Sequence, residues 1–246
     1  MAGRLFLVGT PIGHLGDVSD RLREVLGRVA LIAAEDTRRT RRLLAHLGIS
    51  SRMTSYHDRN ERRKVPELLD VLERGDDVAV VSDAGMPGIA DPGWHIVQAA
   101  IERRIEVTAV PGPTALLLAL VVSGLPTHRF AFEGYLSRKP SARRNHLSRL
   151  RREDRTMIFY ETPHRLRATL QDMRAAFGER PASLSRELTK RYEETTRGSL
   201  SELVDHAARH KQRGEYVIVV AGAAPRTNRA FDADEPDDEH EVDLHE

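Results

Sequence analysis

Four stretches of the 246-residue chain concentrate residues that can hold a ligand or move a proton. They are Gly9-Thr10-Pro11-Ile12-Gly13-His14-Leu15-Gly16-Asp17, Glu35-Asp36-Thr37-Arg38, Val81-Ser82-Asp83-Ala84-Gly85-Met86-Pro87, and Pro111-Gly112-Pro113-Thr114. Glycine lets backbone approach a bound molecule closely, and proline holds a turn open without a donor to satisfy. The carboxylates and the arginine among them can accept a proton or grip an anion. A single loop of this kind is an ordinary strand-to-helix turn, whereas four together point to a site. The glycines at 9, 13 and 16 fit neither G-x-G-x-x-G nor a Walker loop ending in Gly-Lys-Ser/Thr, which disfavours nicotinamide dehydrogenases and P-loop NTPases. The eleven histidines show no H-E-x-x-H or other ligand spacing, cysteine is absent and no G-x-S-x-G elbow occurs. No metal is expected, and thiol catalysis is excluded.

Apolar runs must position these loops. Residues 4–8, 30–34, 52–56, 77–81 and 106–110 are predicted strands. Between them lie predicted helices at 20–28, capped by Ser19, at 37–47, stopped by Gly48, and at 59–74 and 94–103. Near-continuous apolar strands alternating with helices predict a parallel sheet covered on both faces. Ligands of such sheets bind at the carboxyl ends of the strands, where all four loops fall. The third loop runs on to Asp91-Pro92-Gly93, whose expected duty is only structural, as a lead-in to the Trp94 helix. Pro111-Gly112-Pro113 breaks the pattern. It divides an N-terminal α/β domain, 1–113, from a C-terminal α/β domain, 114–225, with a mixed sheet. The second domain opens on an apolar helix at 114–122. Strands follow at 129–133, 156–160, 183–188 and 216–220, with helices at 141–152, 163–177 and 199–210. Residues 226–246 form an acidic tail expected to be disordered.

Charge is unevenly placed. Residues 232–246 hold nine acids and no Lys or Arg, so the rest of the chain carries 38 basic and 28 acidic residues, a balance of +10. Residues 38–64 contain nine Lys/Arg against two acids, and residues 138–155 eight against two. Two such runs favour contacts to the phosphates of a nucleic acid. No apolar run approaches the ~18 residues that span a bilayer, and no signal peptide is expected at the N-terminus. The expected setting is cytoplasmic, with no membrane partner.

The ordered motifs Val8-Gly9-Thr10-Pro11-Ile12-Gly13, Ala34-Glu35-Asp36-Thr37-Arg38, Val81 to Pro87 and Pro111-Gly112-Pro113 resemble those of the tetrapyrrole methylase superfamily. Ser55-Tyr56-His57-Asp58, Phe132-Glu133-Gly134-Tyr135-Leu136, Phe159-Tyr160-Glu161-Thr162-Pro163-His164-Arg165 and Arg186-Glu187-Leu188-Thr189-Lys190 narrow the resemblance. They point to the branch that methylates a cytidine 2′-hydroxyl in 16S rRNA of the 30S subunit, using S-adenosylmethionine. The resemblance implies a cofactor cleft between two α/β domains and a homodimer, with RNA rather than DNA as partner. It places the cofactor against Asp83, Ala84, Gly85, Met86, Thr114, Ala115, Tyr160 and Leu188, the last on a late strand. Thr10, Pro11 and Gly13 then line the substrate side. Arg38, His57, Arg138, Lys139, Arg143 and Arg144 are the expected RNA contacts. A 2′-hydroxyl needs its proton removed or shared, and Asp36, His57, Asp58 and Glu161 are the candidate acceptors. Arg38 either holds a phosphate or orients Asp36. Met86 departs from the threonine usual in the family. The alternative within the superfamily is a C-methyltransferase of uroporphyrinogen or precorrin, which would not need two basic runs.

Overall fold

A computed structural model of the chain describes residues 2–224. The acidic segment 226–246 lies outside the described residues. The first half alternates β1 (Leu5–Val8), α1 (Asp20–Arg28), β2 (Leu31–Ala34), α2 (Thr37–Leu47), β3 (Met53–Ser55), α3 (Glu61–Glu73), β4 (Val78–Val81), α4 (Trp94–Glu102) and β5 (Val107–Val110). The strands pair in parallel in the order β3-β2-β4-β1-β5. Their two-residue period divides the core. Phe6, Val8, Ile32, Ala34, Ala79 and Val81 pack with α1 and α2, and Leu5, Leu7, Ala33, Val78 and Val80 pack with α3 and α4. Every residue of β1 and β4 is buried, so only helices on both faces could cover this sheet.

That division fixes where a ligand can enter. β1 and β4 are neighbours, yet the next helix after β1, α1, lies on one face and the next after β4, α4, on the other. The chain therefore leaves the two strand ends in opposite directions and opens a crevice between them.

The second half contains α5 (Ala115–Ser123), β6 (Phe130–Tyr135), α6 (Pro140–Arg149), β7 (Thr156–Glu161), α7 (Leu166–Phe177), β8 (Pro181–Arg186), β9 (Glu194–Ser199), α8 (Leu200–Arg209) and β10 (Tyr216–Val220). The sheet order is β6-β7-β10-β8-β9, with β6 and β7 parallel and the other pairs antiparallel. One face carries α7 and α8. The other carries α5, with Leu116, Ala119 and Leu120 against Ile158, Val217 and Val219. Strand β9 escaped the sequence reading because Glu194-Thr195-Thr196-Arg197-Gly198-Ser199 offers no apolar residue. It is an edge strand recruited by pairing with β8. The strand expected to carry Leu188 stops at Arg186, because Glu187 and Thr189 adopt φ of 50° and 65°. The apolar helix α5 is only half covered: Leu117 and Val121 are 47% and 65% exposed. Among the described residues, no helix is long and apolar enough to cross a membrane.

Candidate active site

Strand-end loops meet at the β1/β4 crevice. Thr10 and Gly85 exchange backbone hydrogen bonds of 2.9 and 3.0 Å, tying the β1 loop to the β4 loop. Gly9 has to be glycine: a Cβ there would stand 2.8 Å from the Gly112 backbone and 2.5 Å from the Met86 sulfur. Gly85, at φ 91°, turns the β4 loop back across the crevice.

The β2 end joins through carboxylates. Glu35 Oε2 accepts from the Asp83 amide at 3.0 Å, and Asp83 Oδ1 accepts from the Asp36 amide at 3.0 Å. Arg39 reaches Asp83 Oδ2 at 3.4 Å. Burial raises both Glu35 and Asp83 above the usual carboxylate range. Asp36 is a different group. It caps α2 and is clamped by Arg38, whose Nε and Nη2 lie 3.0 and 2.7 Å from its two oxygens. That clamp holds the Asp36 carboxyl well below its ordinary value, which makes it a weak proton acceptor.

Between the two sheets lies a cavity of about 900 Å³. All eight residues expected to meet a cofactor line it: Asp83, Ala84, Gly85, Met86, Thr114, Ala115, Tyr160 and Leu188. Pro11 and Gly13 line it too, and Thr10 lies in an adjoining pocket of about 160 Å³ with Arg39 and Arg42. Thr114 stands at the N-terminus of α5 but its hydroxyl does not cap the helix. That oxygen is buried with no hydrogen-bond partner. The Tyr160 hydroxyl accepts from the Leu116 amide at 3.2 Å, and its ring meets the edges of Phe132 and Tyr135 at 4.9 and 5.5 Å. Burial pushes both tyrosines up to about 12, so they stay protonated donors. Close-packed glycine loops and aromatic walls suit a nucleoside such as that of S-adenosylmethionine.

Asp91, given only structural duty from the sequence, also lines the cavity. Ala90 takes φ 59°, uncommon for a residue with a side chain, and the Gly88 amide closes the turn on the Pro92 carbonyl at 3.1 Å. Burial, then the charge of Glu35, pushes the Asp91 carboxyl up to about 7 against the opposing pull of the Ser82 hydroxyl.

Two sequence expectations are corrected. Glu161 does not reach the cavity, because alternation along β7 turns it to the face opposite Tyr160. Its side chain is 0% exposed and accepts from the Thr162 amide at 2.7 Å and Thr169 Oγ1 at 2.6 Å, with Arg165 at 3.2 Å. It anchors the start of α7. Arg143 is buried with its guanidinium 2.7 Å from Asp172, joining α6 to α7, and is not free to meet a phosphate. Its neighbours Arg138, Lys139 and Arg144 are exposed, as is Arg38. His57 and Asp58 lie off the cavity wall, and the His57 amide is engaged by Asn60 Oδ1 at 2.8 Å. Lining residues that the sequence reading missed include Arg39 and Arg42, one helical turn apart on α2, and Glu187, Lys190 and Glu215. The i, i+3 spacing of the two arginines was a usable signal. The acids came from a turn and from the residue before β10, where no periodicity marks them.

Residues 4–204 match the family model for Tetrapyrrole (Corrin/Porphyrin) Methylases, and the chain belongs to that family. Among its relatives is a Synechocystis sp. protein named ribosomal RNA small subunit methyltransferase I. It is 48% identical over 96% of this chain and 85% of its own length. Proteins of the same name from Mycobacterium tuberculosis and Thermotoga maritima are 49% and 44% identical, over 91% and 89% of this chain and 79% and 99% of their own lengths. Solved structures share the fold. Uroporphyrin-III-C-methyltransferase from Thermus thermophilus superposes with a TM-score of 0.63 at 21% identity, covering 89% of this chain and 94% of that one. The Thermus thermophilus enzyme complexed with S-adenosyl homocysteine gives 0.61 at 19% identity, covering 89% and 97%.

Proposed function

We propose that the chain is a cytoplasmic methyltransferase that modifies the ribose 2′-hydroxyl of a cytidine in 16S rRNA of the 30S subunit, with S-adenosylmethionine as methyl donor. The observation that carries this reading is the polarity of the cavity. Its lining holds the half-buried carboxylates of Glu35, Asp83, Asp91 and Glu187, together with exposed Arg39, Arg42, Lys190 and Glu215. An acidic wall favours a cationic ligand, and more strongly away from bulk water. The exposed basic groups suit phosphates. A relative's name, shared by many proteins at similar identity, supplies the substrate class.

When bound, S-adenosylmethionine supplies an electrophilic methyl group on a sulfonium. In this reading the β4 loop from Asp83 to Met86, with Thr114, Ala115, Tyr160 and Leu188, holds that ligand. Thr10, Pro11 and Gly13 border the ribose. Arg38, Arg39 and Arg42 on α2, and Arg138 and Lys139 just past the cavity residue Tyr135, position the RNA through its phosphates. Such contacts set register without selecting a base. Asp91 takes the hydroxyl proton, because a carboxylate near neutrality is both deprotonated enough and basic enough for that task.

The test supplies the purified chain with methyl-labelled S-adenosylmethionine and, separately, 30S subunits lacking this methyl group and uroporphyrinogen. Label in the rRNA is expected. Label in uroporphyrinogen, with none in rRNA, would overturn the reading.

A further inference from the structure

The turn from Glu187 to Glu193 is held by bonds within itself and by contacts across the cleft. Its backbone leaves β8 through two residues with side chains in the left-handed region, Glu187 and the β-branched Thr189, the latter a conformation rarely tolerated. The Thr189 amide donates to Glu193 Oε2 at 2.6 Å, and Lys190 Nζ to Glu187 Oε1 at 2.9 Å. The Lys190 and Glu193 amides close successive turns on the carbonyls of Glu187 and Lys190 at 2.9 and 3.1 Å. Across the cleft, the His14 amide donates to Thr189 Oγ1 at 3.1 Å, and Gly13 packs so closely that a Cβ would stand 2.5 Å from Lys190. On its inner side Leu188 is buried and lines the cavity. The turn is thus a strap joining the two halves over the site.

On the strap's outer side stands Tyr192, 66% exposed, with the Arg191 guanidinium 5.6 Å from its ring centre. A large aromatic ring left in water, on a turn whose backbone is locked in an uncommon shape, has no packing duty here. Locked backbone of this kind gathers where a ligand is clamped. An exposed ring beside a cation, two residues from the cavity-lining Lys190, has the chemistry that receives an unpaired base: the ring stacks on the base and the arginine meets its phosphate.

We propose that Tyr192, with Arg191 beside it, is a stacking platform for an unpaired rRNA base flanking the target nucleotide, and that the strap fixes its distance from the cavity. The proposal rests on the reading of the chain as an rRNA methyltransferase. No covalent step is involved, because the residue positions substrate.

Steady-state methylation of 30S subunits by the full chain tests it, with Tyr192→Ala and Tyr192→Phe compared to wild type. Tyr192→Ala is expected to raise KM for 30S subunits by about five- to a hundredfold, the range of alanine substitutions at base-stacking aromatics. The value of kcat at saturating RNA and the calorimetric Kd for S-adenosylmethionine should stay within about twofold. Tyr192→Phe, which keeps the ring and loses the hydroxyl, should restore most of the affinity. An unchanged KM in Tyr192→Ala overturns the proposal. So does a Phe variant as defective as Ala, which would make the hydroxyl the contact, or a parallel loss of cofactor affinity, which would make the strap part of the cofactor site. A wild-type chain that labels no rRNA refutes the underlying reading and this proposal with it, and is seen before any variant is made.

Discussion

Replacing Asp91 with asparagine keeps the shape of the β4 loop and removes one proton acceptor. A carboxyl titrating at about 7 is roughly one-eleventh ionised at pH 6 and ten-elevenths at pH 8. If its ionised form takes the 2′-hydroxyl proton, the single-turnover rate on 30S subunits should rise about tenfold between those values and level off above pH 8. Asp91→Asn should lower the rate by about 10²–10⁴ and flatten that rise, leaving the Kd for S-adenosylmethionine within a few-fold. Stability gives a second signature, of opposite benefit. The folded-state value is raised above the ordinary carboxylate range, so the folded protein holds this proton more tightly than the unfolded chain does. Wild type therefore loses stability from this group as pH climbs from about 4 through about 7. The asparagine variant lacks that loss. Its Tm should exceed that of wild type at pH 8, and the gap should close toward pH 4. A variant with wild-type rate and an unaltered pH profile would refute the assignment. A variant whose only defect is weak cofactor binding would recast Asp91 as a charge partner for the ligand.

Other substitutions probe the frame. Glu161→Gln leaves Arg165 without its buried counter-charge and should destabilise the fold by about 3–5 kcal/mol in urea unfolding, while the folded fraction keeps its kcat. Met86→Thr removes the sulfur packed on Gly9 but leaves the β4-loop backbone, so cofactor affinity should change by less than about threefold in calorimetry, and stability by about 1 kcal/mol. The exposed apolar stripe of α5, Leu117 and Val121, suits a homodimer contact. Light scattering should then give a dimer mass for wild type, and a monomer for Val121→Asp.

Much of this was legible in the sequence because the first sheet is simple. Its strands are buried on both faces and so are written as unbroken apolar runs, and Asp36 and Gly48 bound α2 at the positions their chemistry predicts. The loops were legible because strand ends in a parallel sheet share one edge. What failed were statements about side-chain direction. Glu161 stands one residue from Tyr160, and a one-residue step in a strand reverses the face. Arg143 sits in a basic run, yet helix geometry turns it to Asp172 while Arg144 meets water. Asp91 looked structural because Pro and Gly surround it. Its entry into the cavity depends on Ala90 adopting a conformation that alanine does not advertise. Strand β9 exists through pairing alone.

The central claim is methyl transfer to a ribose oxygen, and nucleoside analysis of the labelled product addresses it most directly. After reaction with methyl-labelled S-adenosylmethionine, 16S rRNA from the 30S subunits is digested to nucleosides and separated by liquid chromatography with mass detection. The label is expected to co-elute with 2′-O-methylcytidine, with the added mass on the sugar fragment. Label retained on the base fragment, or on any nucleoside other than cytidine, would contradict the claim.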